Sequence, residues 1–151
     1  MFECLGNTVL IQDREITHPD ATVLLRRAEE EMLLLYPDEP ASPLDPKARF
    51  VVAYVLGQPV GCGALVPIGD VTSEIKRMYV LPEHRRTGVA RRILAGLIRR
   101  AGDGRFQTVI LETGTKQKAA IALYEGFGFE RTEPYGEYVD NPYSVCYARK
   151  L

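Results

Sequence analysis

Cysteine and histidine are both scarce in this chain, with three of the first and two of the second among 151 residues. Cys4, Cys62 and Cys146 are scattered, odd in number and form no CxxC pair. That excludes a disulfide framework and predicts reduced thiols in a cytoplasmic protein. The histidines, His18 and His84, stand far apart with no Cys or carboxylate cluster beside them, so no metal site is expected. Neither Cys62 nor Cys146 has a histidine partner evident in the sequence, and both read as buried structural thiols rather than nucleophiles. Charge of one sign is lacking too. Lys and Arg total 19 against 20 Asp and Glu, a net charge of −1, so the chain as a whole has no electrostatic pull toward nucleic acid or acidic membranes. No apolar run approaches the roughly 20 residues that span a bilayer, and no basic-then-apolar leader opens the chain. No repeat or low-complexity tract interrupts it.

What is present is a hydrophobic content of 46% beside 26% charged residues, the balance of a soluble globular protein. The length predicts one domain over 1–151. NTVLIQD (7–13) reads as a short strand. A helix follows, with Pro19 near its start, Leu24, Ala28, Met32 and Leu35 at helical spacing, and a stop at Tyr36 before Pro37. Four prolines make 37–46 a loop. Strands over about 49–56 and 59–66 are joined by a tight turn at Gly57-Gln58. The run 73–82 alternates, with Ile75, Arg77 and Tyr79 on one side against Glu74, Lys76 and Met78 on the other, and ends at Pro82. Residues 87–102 form an amphipathic helix with Val89, Ile93, Leu94, Leu97, Ile98 and Ala101 as its apolar stripe. A buried strand (106–113), a helix (about 116–125) and strands at 128–133 and 143–151 complete the chain. This order predicts an α/β fold with a mixed sheet and one central strand–helix–strand crossover.

The chemistry starts at HRRTGVARRIL (84–94), where an extended run gives way to a helix. A helix N-terminus exposes unpaired N–H groups and the positive end of a macrodipole, and so binds anions. Gly88 and Ala90 keep the backbone approachable, while Arg85 and Arg86 add charge with geometry suited to phosphate. The stretch is neither the lysine-bearing phosphate loop nor the three-glycine dinucleotide fingerprint. An ordinary basic turn ahead of a helix would account for it alone.

A second motif tips the balance. RRTGVA resembles the R/Q-x-x-G-x-G/A loop of the GCN5-related N-acetyltransferases, and AIALYEGFGFER (120–131) is similar to that family's A-x-x-L-Y-x-x-x-GF segment, in order and about 30 residues on. EIKRMYVLPEH looks like the family's fourth strand and its exit. The resemblance implies the family's fold, a mostly antiparallel sheet of about seven strands with helices on both faces and a splayed strand pair. It implies acetyl-CoA as cofactor, with Arg85, Arg86, Thr87, Gly88, Val89, Ala90 and Arg91 at the pyrophosphate. Backbone N–H groups of Met78, Tyr79 and Val80 would lie along the pantetheine arm. Gln117 stands where many relatives carry an asparagine that bonds the cofactor or a neighbouring backbone. It has a longer reach, which leaves its own contact open.

Acetyl transfer to an amine needs a neutral amine, a stabilised oxyanion and a protonated leaving thiolate. Tyr124, at the family's tyrosine position, is the candidate acid. A phenol of pKa about 10 stays protonated at neutral pH and can donate to a thiolate whose conjugate acid is near 8.5. Packing with Leu123 and Ala120 is its plainer role. Glu74 can take a proton from the incoming ammonium, or serve only in a cross-strand pair. On the acceptor side, TEPYGEYVDNPYSVCY (132–147) resembles the C-terminal segment of a bacterial subgroup of these enzymes. Tyr135, Glu137, Tyr138 and Asp140 there, with Tyr36 on the opposite wall, predict a pocket for an amine. The expected function is acetyl transfer to a small primary amine. The alternatives are a protein N-terminal or lysine acetyltransferase and a non-catalytic acyl-CoA-binding module. Nucleic-acid binding is not expected, because Arg85, Arg86, Arg91, Arg92, Arg99 and Arg100 have no interleaved aromatics. Relatives are often homodimers, though no stretch here specifies an interface.

Overall fold

The computed structural model describes residues 8–151. Asn7, placed above in the first strand, and Cys4 lie outside the described residues. Seven strands form one sheet in the order β1-β2-β3-β4-β5-β7-β6. They are β1 (Val9–Asp13), β2 (Arg49–Val55), β3 (Gln58–Pro67), β4 (Thr72–Val80), β5 (Thr108–Gly114), β6 (Glu130–Thr132) and β7 (Ser144–Lys150). Helices α1 (Pro19–Leu35), α2 (Val89–Asp103) and α3 (Lys118–Gly126) complete the chain. All neighbours pair antiparallel except β4 and β5, which the α2 crossover makes parallel.

Strand alternation sends side chains to two cores. Val51, Ala53 and Val55 of β2 join Val60, Ile75, Val80, Val109 and Leu111 against Val89, Ile93, Leu94 and Leu97 of α2. Phe50, Val52 and Tyr54 turn the other way, to Ala21, Leu24 and Ala28 of α1 with Cys62, Ala64 and Tyr79. The stripe expected on 87–102 is the face that α2 buries. The Pro19 start of α1 also holds, and the His18 Nδ1 accepts the Asp20 N–H at 3.1 Å as a cap.

Two local expectations need correction. The β2–β3 turn is Leu56-Gly57, one residue earlier than expected. Val55 pairs with Gln58, and both turn residues take positive φ, as a two-residue hairpin of matching twist requires. In β4 the regular alternation fails at Arg77. The register shifts there against β3, and Arg77 adopts φ 60°. A bulge adds one residue and flips every side chain beyond it. Tyr79 therefore shares the α1 face with Glu74 and Lys76, while Met78 and Val80 join Ile75 on the α2 face.

Candidate active site

The parallel β4–β5 ladder ends at Ile75–Leu111, although β4 runs on to Val80 and β5 to Gly114. Beyond that point the strands part and leave a wedge. Polar groups on its β4 wall are free of the ladder. Leu81 N–H donates to the Val60 carbonyl at 2.9 Å, and strict alternation then turns the Tyr79 N–H to β3 as well. Of the three amides expected along a cofactor arm, Met78 and Val80 face the wedge and Tyr79 does not. The Val80 carbonyl, on the open side, accepts from Arg85 Nε at 2.8 Å.

After β4 a short turn (Pro82–His84) leads to the RRTGVA loop at the mouth of α2. Gly88 caps the helix with φ 90°, and a Cβ there would meet nothing within 4 Å. Glycine is thus required by the left-handed backbone rather than by crowding. Thr87 Oγ1 donates to the His84 carbonyl at 2.6 Å and tightens the loop. Val89 points into the core and Ala90 is half-buried. Arg85, expected to meet phosphate, is directed elsewhere. Its Nη2 bonds both oxygens of Glu31 on α1 at 2.9 Å, and its guanidinium lies 5.5 Å from the centre of the Tyr79 ring. Those partners neutralise it and tie the loop to α1. Arg86 and Arg91 are exposed, with Arg91 stacked 4.9 Å over Phe127.

The wedge opens into a cleft of about 270 Å³ on the α1 face. Tyr36, Glu74, Met78, Tyr79, Gln117, Tyr124, Glu137 and Tyr138, all singled out from the sequence, line it. Gln117 is the N-cap residue of α3, without a side-chain cap bond. Tyr124 is 5% exposed and packs edge-on to Phe129. Burial holds its phenol well above the ordinary 10, and the Glu112 charge adds to the effect. Tyr36 lies against Gly114, where a Cβ would sit 2.0 Å from its hydroxyl oxygen. That hydroxyl accepts the Lys116 N–H at 3.0 Å and anchors the start of the β5–α3 turn. Tyr135 stands behind the lining. Its hydroxyl donates to Glu74 Oε2 at 2.9 Å. Asp140 is exposed and away from the cleft.

Among the cleft residues that the sequence reading did not name as site residues are Glu39, Glu112, Lys76 and Arg77. Glu74 and Glu112 share a face because Glu74 pairs with Ile110, two residues before Glu112. Burial raises both carboxyls above the ordinary 4.5. Lys76 and the Tyr135 bond oppose the rise at Glu74, and the Ser144 bond opposes it at Glu112. Each carboxylate takes a hydrogen bond from a neutral donor of the 135–144 segment: Glu39 from Asn141 at 2.6 Å, Glu74 from Tyr135, and Glu112 from Ser144 at 2.7 Å. None has a cation within ion-pair distance among the described residues. Two loops close the cleft. Ser42 of the Pro-rich loop donates to Glu137 Oε1 at 2.8 Å, and its carbonyl accepts from the Arg77 guanidinium. Cys62 is buried with its thiol pushed up to about 12, and burial raises Cys146 as well, so neither offers a thiolate.

A sheet splayed after a bulge, a glycine-capped helix mouth beyond it and a buried tyrosine at the wedge are what the motifs imply for one family, and residues 14–129 match the Acetyltransferase (GNAT) family. The chain belongs to this family. It is an N-acetyltransferase by family. The chain is 35% identical over 146 residues to an IAA acetyltransferase of Azospirillum brasilense, covering 91% of this chain and 95% of that one. It is 32% identical over 145 residues to the uncharacterized N-acetyltransferase YsnE of Bacillus subtilis, covering 91% and 96%. A crystal structure of a Klebsiella pneumoniae protein named for acyl-CoA N-acyl transfer superposes with TM-score 0.85 at 30% identity, over 95% of this chain and 98% of that one. A family acetyltransferase of Elizabethkingia anophelis, solved with acetyl-CoA bound, shares the fold at TM-score 0.74 and 20% identity, over 95% and 98%. No described helix is long and apolar enough to cross a membrane.

Proposed function

We propose that the chain, as one catalytic domain in the cytoplasm, moves an acetyl group from acetyl-CoA to the primary amine of a small molecule by direct attack. One observation carries the reading: the β4–β5 wedge lies between the glycine-capped mouth of α2 and a cleft lined by carboxylates, with Tyr124 in the cleft wall. The residues present fit acetyl-CoA. Backbone N–H groups at the α2 mouth, with Arg86 beside them, suit its pyrophosphate, and the Met78 and Val80 N–H groups suit its amide-rich arm. Bound there, it supplies an acetyl group activated as a thioester.

Glu74 and Glu112 draw the acceptor ammonium into the cleft, and one of them takes its proton, directly or through water. The Met78 amide stabilises the charge that develops on the carbonyl oxygen. Nitrogen–carbon bond formation and carbon–sulfur cleavage then leave a thiolate, which Tyr124 protonates, and the second proton lost from the nitrogen restores the Tyr124 phenol through water. Burial keeps this phenol protonated at neutral pH, so the proton to be donated is present there. The loops joined through Ser42 and Glu137 favour a small acceptor over an extended peptide. The volume is also below the roughly 300–1,000 Å³ of sites for drug-sized ligands.

Calorimetric titration with acetyl-CoA tests the reading. Wild type is expected to bind, and Gly88→Glu, which sets a carboxylate at the helix mouth, is expected not to. Equal binding by both would place the cofactor elsewhere, and no binding by folded wild type would end the proposal.

A further inference from the structure

Of the three charges that β4 brings to the cleft, Glu74, Lys76 and Arg77, the first two share a face and have unlike partners. Glu74 is 5% exposed and takes only the neutral Tyr135 hydroxyl among the described residues. The Lys76 side chain, 16% exposed, has opposite it a carboxylate at long range, whose other oxygen takes the Ser42 hydroxyl at 2.8 Å. Glu137 Oε2 stands 3.6 Å from Nζ on a side chain that is itself 52% exposed. Nζ also lies 5.9 Å from the centre of the Tyr138 ring. Glu137 comes from the short turn Gly136–Tyr138, outside the regular sheet. A sheltered ammonium therefore keeps a replaceable carboxylate at the acceptor end of the cleft. Beside it, Glu74 and Glu112 keep places for a cation.

We infer that the acceptor is an α-amino carboxylate, its ammonium held by Glu74 and Glu112 and its carboxylate held by Lys76 in the place Glu137 occupies here. Residues i and i+2 of a strand share a face and lie roughly 6.6 Å apart along it. An α-amino acid carries ammonium and carboxylate on one carbon. With a charge-assisted hydrogen bond of about 2.8 Å at each end, it bridges side chains set at that spacing. A diamine or polyamine would bring a second ammonium against Lys76 and the adjacent Arg77. A simple alkylamine would leave Lys76 with Glu137. The transfer is the one already described: acetyl passes to the α-nitrogen, which gives up its proton, and CoA departs as the thiol.

The inference rests on the acetyltransferase reading, and the test separates the two. Thiol release from acetyl-CoA is followed with the twenty free L-amino acids, their C-terminal primary amides, and spermidine and putrescine. Free amino acids are expected to be turned over. Each active one should exceed its amide, which lacks the carboxylate charge, by on the order of 10- to 100-fold in kcat/KM, the worth of a hydrogen bond to a charged group. Lys76→Met should abolish that ratio, chiefly by raising KM for the free acid. Glu137→Gln, which frees Lys76, should lower KM for the free acid severalfold, an effect that a merely structural lysine would not produce. Calorimetry with acetyl-CoA and a thermal melt verify that both variants are folded and loaded. Amides or polyamines turned over as fast as free acids would overturn the inference. So would an unchanged ratio in Lys76→Met, or acetyl-CoA binding with none of the free acids acetylated. Loss of acetyl-CoA binding in wild type would instead remove the acetyltransferase reading beneath it.

Discussion

Tyr124 packs its ring edge-on to Phe129 and still lines the wedge, so its hydroxyl and its ring can be tested apart. Tyr124→Phe keeps the packing. Steady-state kinetics should show kcat lowered by about 10²-fold or more, the usual range for a positioned acid, with an unchanged melting temperature. An unchanged kcat would leave Tyr124 with packing alone. The carboxylates make a second test at this scale. Both are raised above 4.5 by burial, so the acid limb of the kcat/KM profile should lie above 4.5. Of Glu74→Gln and Glu112→Gln, the variant that removes this limb identifies the proton acceptor. Tyr124 was legible because A-x-x-L-Y-x-x-x-GF surrounds it. Glu112 was not, since a lone glutamate in ETGT carries no pattern. Only the parallel pairing of β4 with β5 brings it to the face of Glu74.

At the scale of the element, two glycines hold the site in shape for different reasons. Gly88 sits in the left-handed region with open space around it. Gly88→Ala should therefore cost about 1 kcal/mol in chemical denaturation while keeping acetyl-CoA binding measurable, in contrast to Gly88→Glu. Gly114 has ordinary φ but no room, because a methyl group would enter the Tyr36 ring. Gly114→Ala should displace Tyr36 from the Lys116 N–H and raise KM for the acceptor more than Kd for acetyl-CoA. The motif pointed to Gly88. Nothing in the sequence pointed to Gly114, whose constraint comes from the end of α1. The bulge at Arg77 was equally hidden. EIKRMYV reads as plain alternation, and the extra residue becomes visible only when β3 supplies the register.

For the whole molecule, the sheet is covered by α2 and α3 on one face and α1 on the other, and the site lies where β4 parts from β5. Leu97 is fully buried beneath α2, so Leu97→Ala should lower global stability by about 2–5 kcal/mol without acting on the cleft directly. The buried carboxylates impose a pH dependence of opposite sign to that of paired surface acids. Their folded pKa values exceed the unfolded ones. Their stabilising contribution is complete below the unfolded pKa and is lost as pH rises through the folded one. Wild type should thus lose melting temperature from about pH 4.5 upward relative to a Glu74→Gln/Glu112→Gln double variant, as a thermal melt series would show.

Periodicity and motif spacing by themselves determined the order of elements, the apolar stripe of α2, the glycine at its mouth and the place of Tyr124. Each of these depends on residues close together in the chain. The tertiary structure alone decided that Arg85 meets Glu31, that Tyr79 turns to the α1 face and that Glu39, Glu74 and Glu112 converge on one segment. It also decided that Lys76 looks toward Glu137. Those facts depend on strand register and on which loop lies over which strand, and a register is specified by two segments at once.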